Sequence, residues 1–587
     1  LLSGEGVRIV ATADARMCTG AWRCSYDRHT GSEMRRTFGR VGTALAVAAL
    51  AALGVFATTA SASTSAKQDK TSFVYADVGG ITTLDWSQVY QGNPMRNAGF
   101  ELQGTLFEWD MSKLRGAGCN QMGGPADVKG QLAESATWDA ASSSWIIKLK
   151  NVKSDAGNTL SSEDVRWTFD RLIANRQTVV NFLMNSVAFY GTTIGDVKTN
   201  PIEPIDKSSF RLKVKARTAV DIAVLTWFQT RIIDSTEAKK HVTSADPYAN
   251  TWLKTNAPGY GPWTVSGFAP GSALFLTPNK NYTGPRGNIK KLIIRAIPDA
   301  STRRQLLESG QVDFADRLTF SDYASLTQKG TKNTGVRITR CFSADRTTMI
   351  LNFKDKTLAN PKVRQAIQLA TDRTELAKAA YLGQYLASKH GVGASYQFKK
   401  SDKTAFPKVD VTKAKALLAE AGFPNGFNMN LTISPSRPGP EVDQLSVLIK
   451  AQLAKIGINV NIQLIAGSAD FNAAFFAGNY QAMLYLEPPA IADEFYSLNL
   501  YNTTASFQNT FGYNNAQYDK LVGEIRVTPA GASRTARVGK VAELIVETVP
   551  VVYITDNIFL HAVRDRFSGW VFPPNGHVYV HTLTALK

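Results

Sequence analysis

Apolar residues along this chain switch repeatedly between a period of two and a helical period. Phe73 to Ala76, Trp145 to Lys150, Phe210 to Val214, Ala273 to Leu276 and Lys291 to Ala296 read as strands, bounded by turns such as Gly79-Gly80 and the Asn279–Asn281 stretch. Ser161 and Ser162, then Glu163 and Asp164, then an apolar-periodic run to Ile173 predict a helix. Hydroxyl and acid groups there satisfy the free N–H groups of the first turn. Thr302 to Leu307 opens another helix, Val312 to Phe314 is a short strand, and Thr348 to Phe353 is a buried-strand run. Helices are predicted at 361–381, 412–421 and 441–456, the second with Thr412 as N-cap and Gly422 and Pro424 as its stop. Ile458 to Leu464 alternates, 470–477 is helical, 482–486 is an apolar strand, 538–548 is helical and 551–563 is strand-rich. Strands and helices interspersed in this way argue for α/β layers rather than a bundle or a β-sandwich. No repeat with a solenoid period is visible.

Composition adds bounds. The chain has 587 residues, 44% hydrophobic and 19% charged, a globular balance with room for roughly three or four domain-sized units. The net charge of +18 comes from Lys and Arg dispersed among acids, with no run of five or more. That pattern reads as a solvated basic surface and not as a nucleic-acid footprint. Four cysteines are too few for a disulfide scaffold. Cys119 and Cys341 either pair in an oxidising compartment or stay apart.

Met34-Arg35-Arg36-Thr37-Phe38-Gly39-Arg40, the small and apolar run from Val41 to Phe56, and Ala60-Ser61-Ala62 have the layout of a secretory signal peptide over 34–62. The run is short for a membrane span, which needs about 20 apolar residues. Residues 1–33, with Cys18 and Cys24, precede this start and are expected to be non-structural. Ser63 stands where a lipoprotein would carry Cys. The expected location is therefore extracellular or cell-envelope, without an evident lipid anchor.

The segment Thr412 to Phe427, with Pro361 to Ile367 and Thr371-Asp372-Arg373 before it, closely resembles the family 5 extracytoplasmic solute-binding proteins, the peptide/nickel-type binding subunits of ATP-binding-cassette (ABC) importers. Thr83-Leu84-Asp85, Leu132 to Ser135, Gly157 to Val165, Asp246 to Trp263, Thr302 to Asp313, Lys455 to Ile458 and Phe511 to Leu521 resemble further family landmarks, in order. The resemblance implies a periplasmic-binding-protein-like two-lobe α/β fold of type II, with a hinge. Lobe one would comprise 63–103, an accessory subdomain at 104–226, 227–342 and a return at 548–587; lobe two would be 343–547. It also implies capture of oligopeptides or similar small solutes by lobe closure, delivery to a permease and its ATPase subunits, a monomer, no cofactor and no chemistry of its own. Nucleic acid is not an expected partner, and membrane contact would come only through the permease.

The departures bear on the ligand. After Tyr480 to Tyr485, peptide-binding relatives carry a Trp and then an Asp that pairs with the peptide ammonium; here Glu487 and Ala490 stand at those places. The acids nearby are Glu487 and Asp493, so one of them substitutes or the ligand is not an ordinary free-amine peptide. The expected cleft wall is 485–495: Tyr485 and Phe495 for apolar contact, Glu487 and Asp493 for cations, and backbone of the 482–486 strand for strand addition. Tyr260, Trp263 and Gln103 are the lobe-one candidates. Tyr485 and Phe495 read equally as ordinary core, and Trp263 reads somewhat more readily as a plug of the lobe interior. Asn352 is assigned to backbone hydrogen bonds at the hinge. The alternatives are a non-peptide solute in the same fold (a metal complex, an oligosaccharide or another amphipathic solute) and, across classes, a secreted hydrolase. The chain has no G-x-S-x-G and no H-E-x-x-H. His577 and His581 share a face only if they lie on a strand, where a paired surface His reading is commoner than a metal site.

Overall fold

The structure, a computed structural model, describes residues 69–85, 98, 101–110, 112, 127–175, 200–396, 398–488, 491, 493–572 and 578–586. The proposed signal peptide, the upstream extension, Cys119, Ala490 and His577 lie outside them. Cys341 is disulfide-bonded.

An 11-stranded sheet organises the described chain. Across it, in spatial order, run Ile458–Leu464, Phe427–Ile433, Ala482–Glu487, Val336–Leu351, Val551–Arg564, Phe314–Ala315, Ser72–Asp77, Lys291–Ala296, Ala273–Pro278 and Trp263–Ala269. Leu386–Ala387 joins Val551–Arg564 from the side. Two long antiparallel strands form the middle, 16 residues in Val336–Leu351 and 14 in Val551–Arg564. Their register runs from Val336 opposite Arg564 to Phe342 opposite Ile558, shifts, and resumes with Arg346 opposite Asp556. Before the shift the neighbour is Phe314–Ala315, and beyond it Ala482–Glu487. Such an irregularity bends a strand and sharpens its twist, and here the sheet passes from one hydrophobic core to another. Phe73, Leu274, Leu292 and Phe314 belong to the first; Met349, Leu351, Val363, Leu431 and Leu484 belong to the second.

A separate 4-stranded sheet, in the order Ala133–Asp139, Ser144–Leu149, Ser209–Lys213, Ile202–Asp206, packs with helix Ser162–Ala174. Its apolar cluster continues into Phe475, Phe495 and Tyr518 of the second core's side. The backbone N–H of Ala219 donates to the Arg526 carbonyl at 3.1 Å, tying the same two regions.

Local signals explain most elements. Ser161 and Asp164 form a capping box on Ser162–Ala174. The helix expected at 412–421 is Val411–Glu420, and its cap is Asp410, which accepts from Lys413 N at 2.8 Å; Thr412 lies inside the first turn. A carboxylate there also meets the positive end of the helix dipole. The run 361–381 is two helices, Pro361–Ala370 and Arg373–Ala380, because Asp372 caps a new start. Thr348 to Leu351 is the end of a much longer strand. Helix Glu494–Asn502 went unpredicted: Phe495, Tyr496, Leu498, Leu500, Tyr501 and Asn502 are all buried, so it has no amphipathic stripe. No helix among the described residues is long and apolar enough to cross a membrane.

The basic surplus is not all on the surface. Arg303 is buried and donates to the carbonyls of Ile297, Pro298, Asp316 and Arg317 at 2.7–2.8 Å. Arg364 likewise donates to Leu358, Ala359 and Thr548. Guanidinium forks here serve as internal caps for chain ends that no strand or helix satisfies.

Gly426 has φ +76°, and a Cβ on it would collide with the Gly457 carbonyl, where the adjacent parallel strands Phe427–Ile433 and Ile458–Leu464 begin. Gly422 has φ +90° with open space around it. Gly422→Ala is expected to cost about 1–2 kcal/mol from backbone strain alone, and Gly426→Ala clearly more, measured as the difference in urea unfolding free energy.

Candidate functional site

Phe427–Ile433 and Ala482–Glu487 are parallel neighbours, with Leu431 opposite Ala482. The loops leaving their C-terminal ends therefore emerge on one edge, where open α/β sheets bind ligands. The first loop carries Arg437 and the second strand ends at Glu487. Arg437 donates from Nε and Nη2 to the Leu486 carbonyl at 3.1 and 2.8 Å. Its guanidinium carbon lies 4.1 Å from the centre of the Tyr485 ring, a cation–π geometry. Tyr485 stacks in turn on Phe475 at 4.3 Å.

Glu487 is 5% exposed, and no described residue hydrogen-bonds its carboxyl. Across the antiparallel pair it faces Arg346. That guanidinium is already engaged: Nε donates to Asp556 Oδ1 at 2.8 Å, Nη1 to Gly391 O and Nη2 to His390 O at 2.9 Å, and the group sits 3.6 Å over the Tyr553 ring. Burial pushes the Glu487 carboxyl up to about 8, although Arg346 and Arg437 pull it down. Neither guanidinium donates to it, so attraction at longer range does not offset lost hydration. Arg437 has no carboxylate within ion-pair distance among the described residues. Among the described residues the edge thus presents one cation without an anion and one carboxyl that burial shifts up to about 8.

The remaining expected site residues fall in different settings. Asp493 is fully buried, caps helix Glu494–Asn502 and accepts from Arg534 Nη2 with both oxygens at 2.8 and 2.6 Å. Arg534 also donates to the Ile525 and Thr528 carbonyls. A cation reaching Asp493 would have to displace this bidentate pair. Phe495 is buried, with Arg526 at 5.5 Å from its ring centre. Strand addition along all of 482–486 is not open: Val336–Leu351 covers one edge, Phe427–Ile433 covers Ala482 and Met483 on the other, and Arg437 occupies the Leu486 carbonyl.

On the other side of the hinge, Trp263 is buried in the first core, with Arg286 at 5.8 Å from its ring centre. Tyr260 is buried, and burial beside Asp164 and Asp234 pushes its phenol well up. Gln103 donates from Nε2 to the Pro258 carbonyl at 3.3 Å, and its Oε1 accepts from no described residue. It lines a cavity of about 20 Å³ with Asp85, Thr168, Arg171, Gln229 and Arg231, room for one water rather than a solute. Asn352 serves the backbone, donating to Gly478 O at 3.1 Å and Tyr480 O at 2.7 Å. His581 is not a surface residue: it is buried, and its Nδ1 lies 3.2 Å from both Glu101 oxygens. Among the described residues no group of three or more His, Cys, Asp or Glu is placed to hold a metal ion.

Sequence reasoning missed Arg437 and Arg346. The signal for Arg437 was an arginine within Ser434-Pro435-Ser436-Arg437-Pro438-Gly439, a loop leaving a strongly alternating strand. Arg346 carried none, because its place is set by the irregularity in the central strand pair.

A large sheet crossing between two cores is the architecture of a two-lobe, periplasmic-binding-protein-like fold of type II. Residues 127–509 match the model for bacterial extracellular solute-binding proteins, family 5, middle region, and the chain belongs to that family, whose members are transport binding proteins. It is 24% identical to heme-binding protein A of Haemophilus influenzae over 71% of this chain and 75% of that one. It is 25% identical to the probable D,D-dipeptide-binding periplasmic protein DdpA of Escherichia coli over 77% and 83%. In fold it resembles the periplasmic binding protein DppA of Helicobacter pylori in complex with peptide STSA, with a TM-score of 0.70, 21% identity and coverage of 88% of this chain and 98% of that one.

Two outcomes are expected. Because the folded Glu487 carboxyl titrates above its unfolded range, its contribution to stability is present below about pH 4.5 and is lost as pH rises through about 8. Glu487→Gln should therefore flatten the fall in melting temperature between pH 5 and 9. Asp493→Ala should cost about 2–4 kcal/mol in urea unfolding by removing the carboxylate that accepts from Arg534 and caps the helix, with only Glu494 left 3.5 Å from the guanidinium, and adding Arg534→Met should recover part of that loss.

Proposed function

We propose that this protein is the binding subunit of an ABC importer and captures short, peptide-like solutes that carry a carboxylate. The observation that carries this reading is Arg437, a buried guanidinium with no acidic partner among the described residues, on the sheet edge beside the crossing strands. A ligand carboxylate would accept from its remaining N–H groups, and an anion is the group whose absence costs a buried cation most. The peptide and dipeptide named for relatives point the same way. Tyr485 and Phe475 provide the apolar wall next to it. In this reading lobe one holds 63–342 with its accessory subdomain at 104–226, lobe two holds 343–547, and the chain returns at 548. The segment 34–62 directs export, and the solute leaves unchanged to a permease and its ATPase subunits.

The surroundings of Glu487 and Asp493 alter the expected ligand chemistry. A cation placed at Glu487 would meet two guanidiniums, and Asp493 already has Arg534. An acceptor-bearing group suits the edge better than the cationic group read from the acids alone.

Isothermal titration with short peptides tests the reading. Wild-type protein should bind without turnover. Arg437→Met should weaken binding by about 10- to 100-fold, the scale set by removing one charge-assisted hydrogen bond, and Arg437→Lys should recover part of it. Hydrolysis of the peptides, or equal affinity in Arg437→Met with an intact circular dichroism spectrum, would overturn it.

A further inference from the structure

We infer that Glu487 is a specificity-determining proton donor: it gives its carboxyl O–H to the ligand carboxylate held by Arg437, so that capture requires one proton on the protein. The inference rests on the proposed capture of a carboxylate and adds a second group and a proton to it.

The geometry leads here. Glu487 closes the strand whose penultimate carbonyl, Leu486 O, anchors Arg437, so the two side chains leave the same strand end. Glu487 is nearly enclosed and no described neighbour hydrogen-bonds its carboxyl, so a ligand acceptor would meet a group that the fold has not already engaged. The charged and titratable groups around it come from every neighbouring element. Arg346 on the facing strand is matched by Asp556. Tyr501, Tyr518 and Tyr553 interact with it electrostatically, and burial holds all three phenols neutral. Among these described groups Arg437 is the cation without an acidic partner. An ionised Glu487 would cancel that charge and repel an incoming anion. A protonated Glu487 leaves the charge intact and adds a donor, and an O–H···O⁻ hydrogen bond is among the strong ones.

Burial keeps that proton in place up to about pH 8 in the empty protein. Below this, capture exchanges no proton. Above it, each carboxylate bound takes up one proton from solvent, and the dissociation constant should rise about tenfold per pH unit. The site would thereby reject amides and esters, which bring an acceptor but no negative charge to answer Arg437, and would lose its ligand in alkaline medium.

The experiment uses the full chain, Glu487→Gln, and two probes: a pool of alanine-containing di- and tripeptides with free carboxyl termini, and the same pool amidated. Affinities are measured by isothermal titration from pH 6 to 9.5. The expected result for wild type is a preference for the free acids and a loss of about tenfold per pH unit above 8. For Glu487→Gln, the affinity should be several-fold weaker at pH 6 and nearly level to pH 9.5. Titration of the peptide amine would appear equally in both proteins, so the difference between them isolates Glu487. Binding with the same pH profile in both proteins, or equal affinity for acid and amide, would overturn this inference and leave peptide capture standing. Failure of both pools to bind wild type at any pH would instead remove the peptide reading. An infrared difference spectrum of wild type against Glu487→Gln at pH 7 then judges the proton alone: a protonated-carboxyl band supports it, and its absence overturns it.

Discussion

Both lobes of this molecule hang from the pairing of Val336–Leu351 with Val551–Arg564. The 11-stranded sheet is built outward from these strands, so the cores packed on it inherit their register. The shift between Phe342 and Arg346 is what turns one sheet into two territories. It also sets which side chain faces which: Arg346 arrives opposite Asp556 on one neighbour and opposite Glu487 on the other. The polar edge proposed as the binding site is therefore a product of the crossing itself, and not an ornament added to a finished fold.

Buried guanidiniums are the second theme. A guanidinium out of water needs several acceptors at once, and carbonyls at loops and helix ends supply them. Arg303, Arg364 and Arg534 all meet that condition, as does Arg346. The carboxylates sort by the same logic. Asp493 and Asp556 receive direct N–H donation from a guanidinium. Glu487 feels two guanidiniums without receiving a hydrogen bond from either, and burial keeps it protonated. Burial pushes Asp493 up as well, but the Arg534 guanidinium that donates to it pulls the other way.

Much of this was legible in the residues. The capping box at Ser161, the alternation at Ile458 to Leu464 and the apolar run at Ala482 to Leu486 are local signals, and local hydrogen bonding honours them. Collinear family landmarks implied the two-lobe architecture. The segment around Tyr485 and Glu487 was read from the residues as a cleft wall, and it carries the site proposed above. The partition of the acids was not: Asp493 finds Arg534, 41 residues away, through helix packing. Nor was the destination of the positive charge, part of which is internal.

The order of residues was enough to say where most strands and helices lie, which helix ends are capped and which family the pattern resembles, because those depend on neighbours within a few positions. It took the folded chain to bring Arg437 and Glu487 to one strand end, to match Asp493 with Arg534, and to leave Gln103 facing room for only a water. Those outcomes depend on desolvation and on distances between groups far apart in the chain, and no spacing rule encodes either.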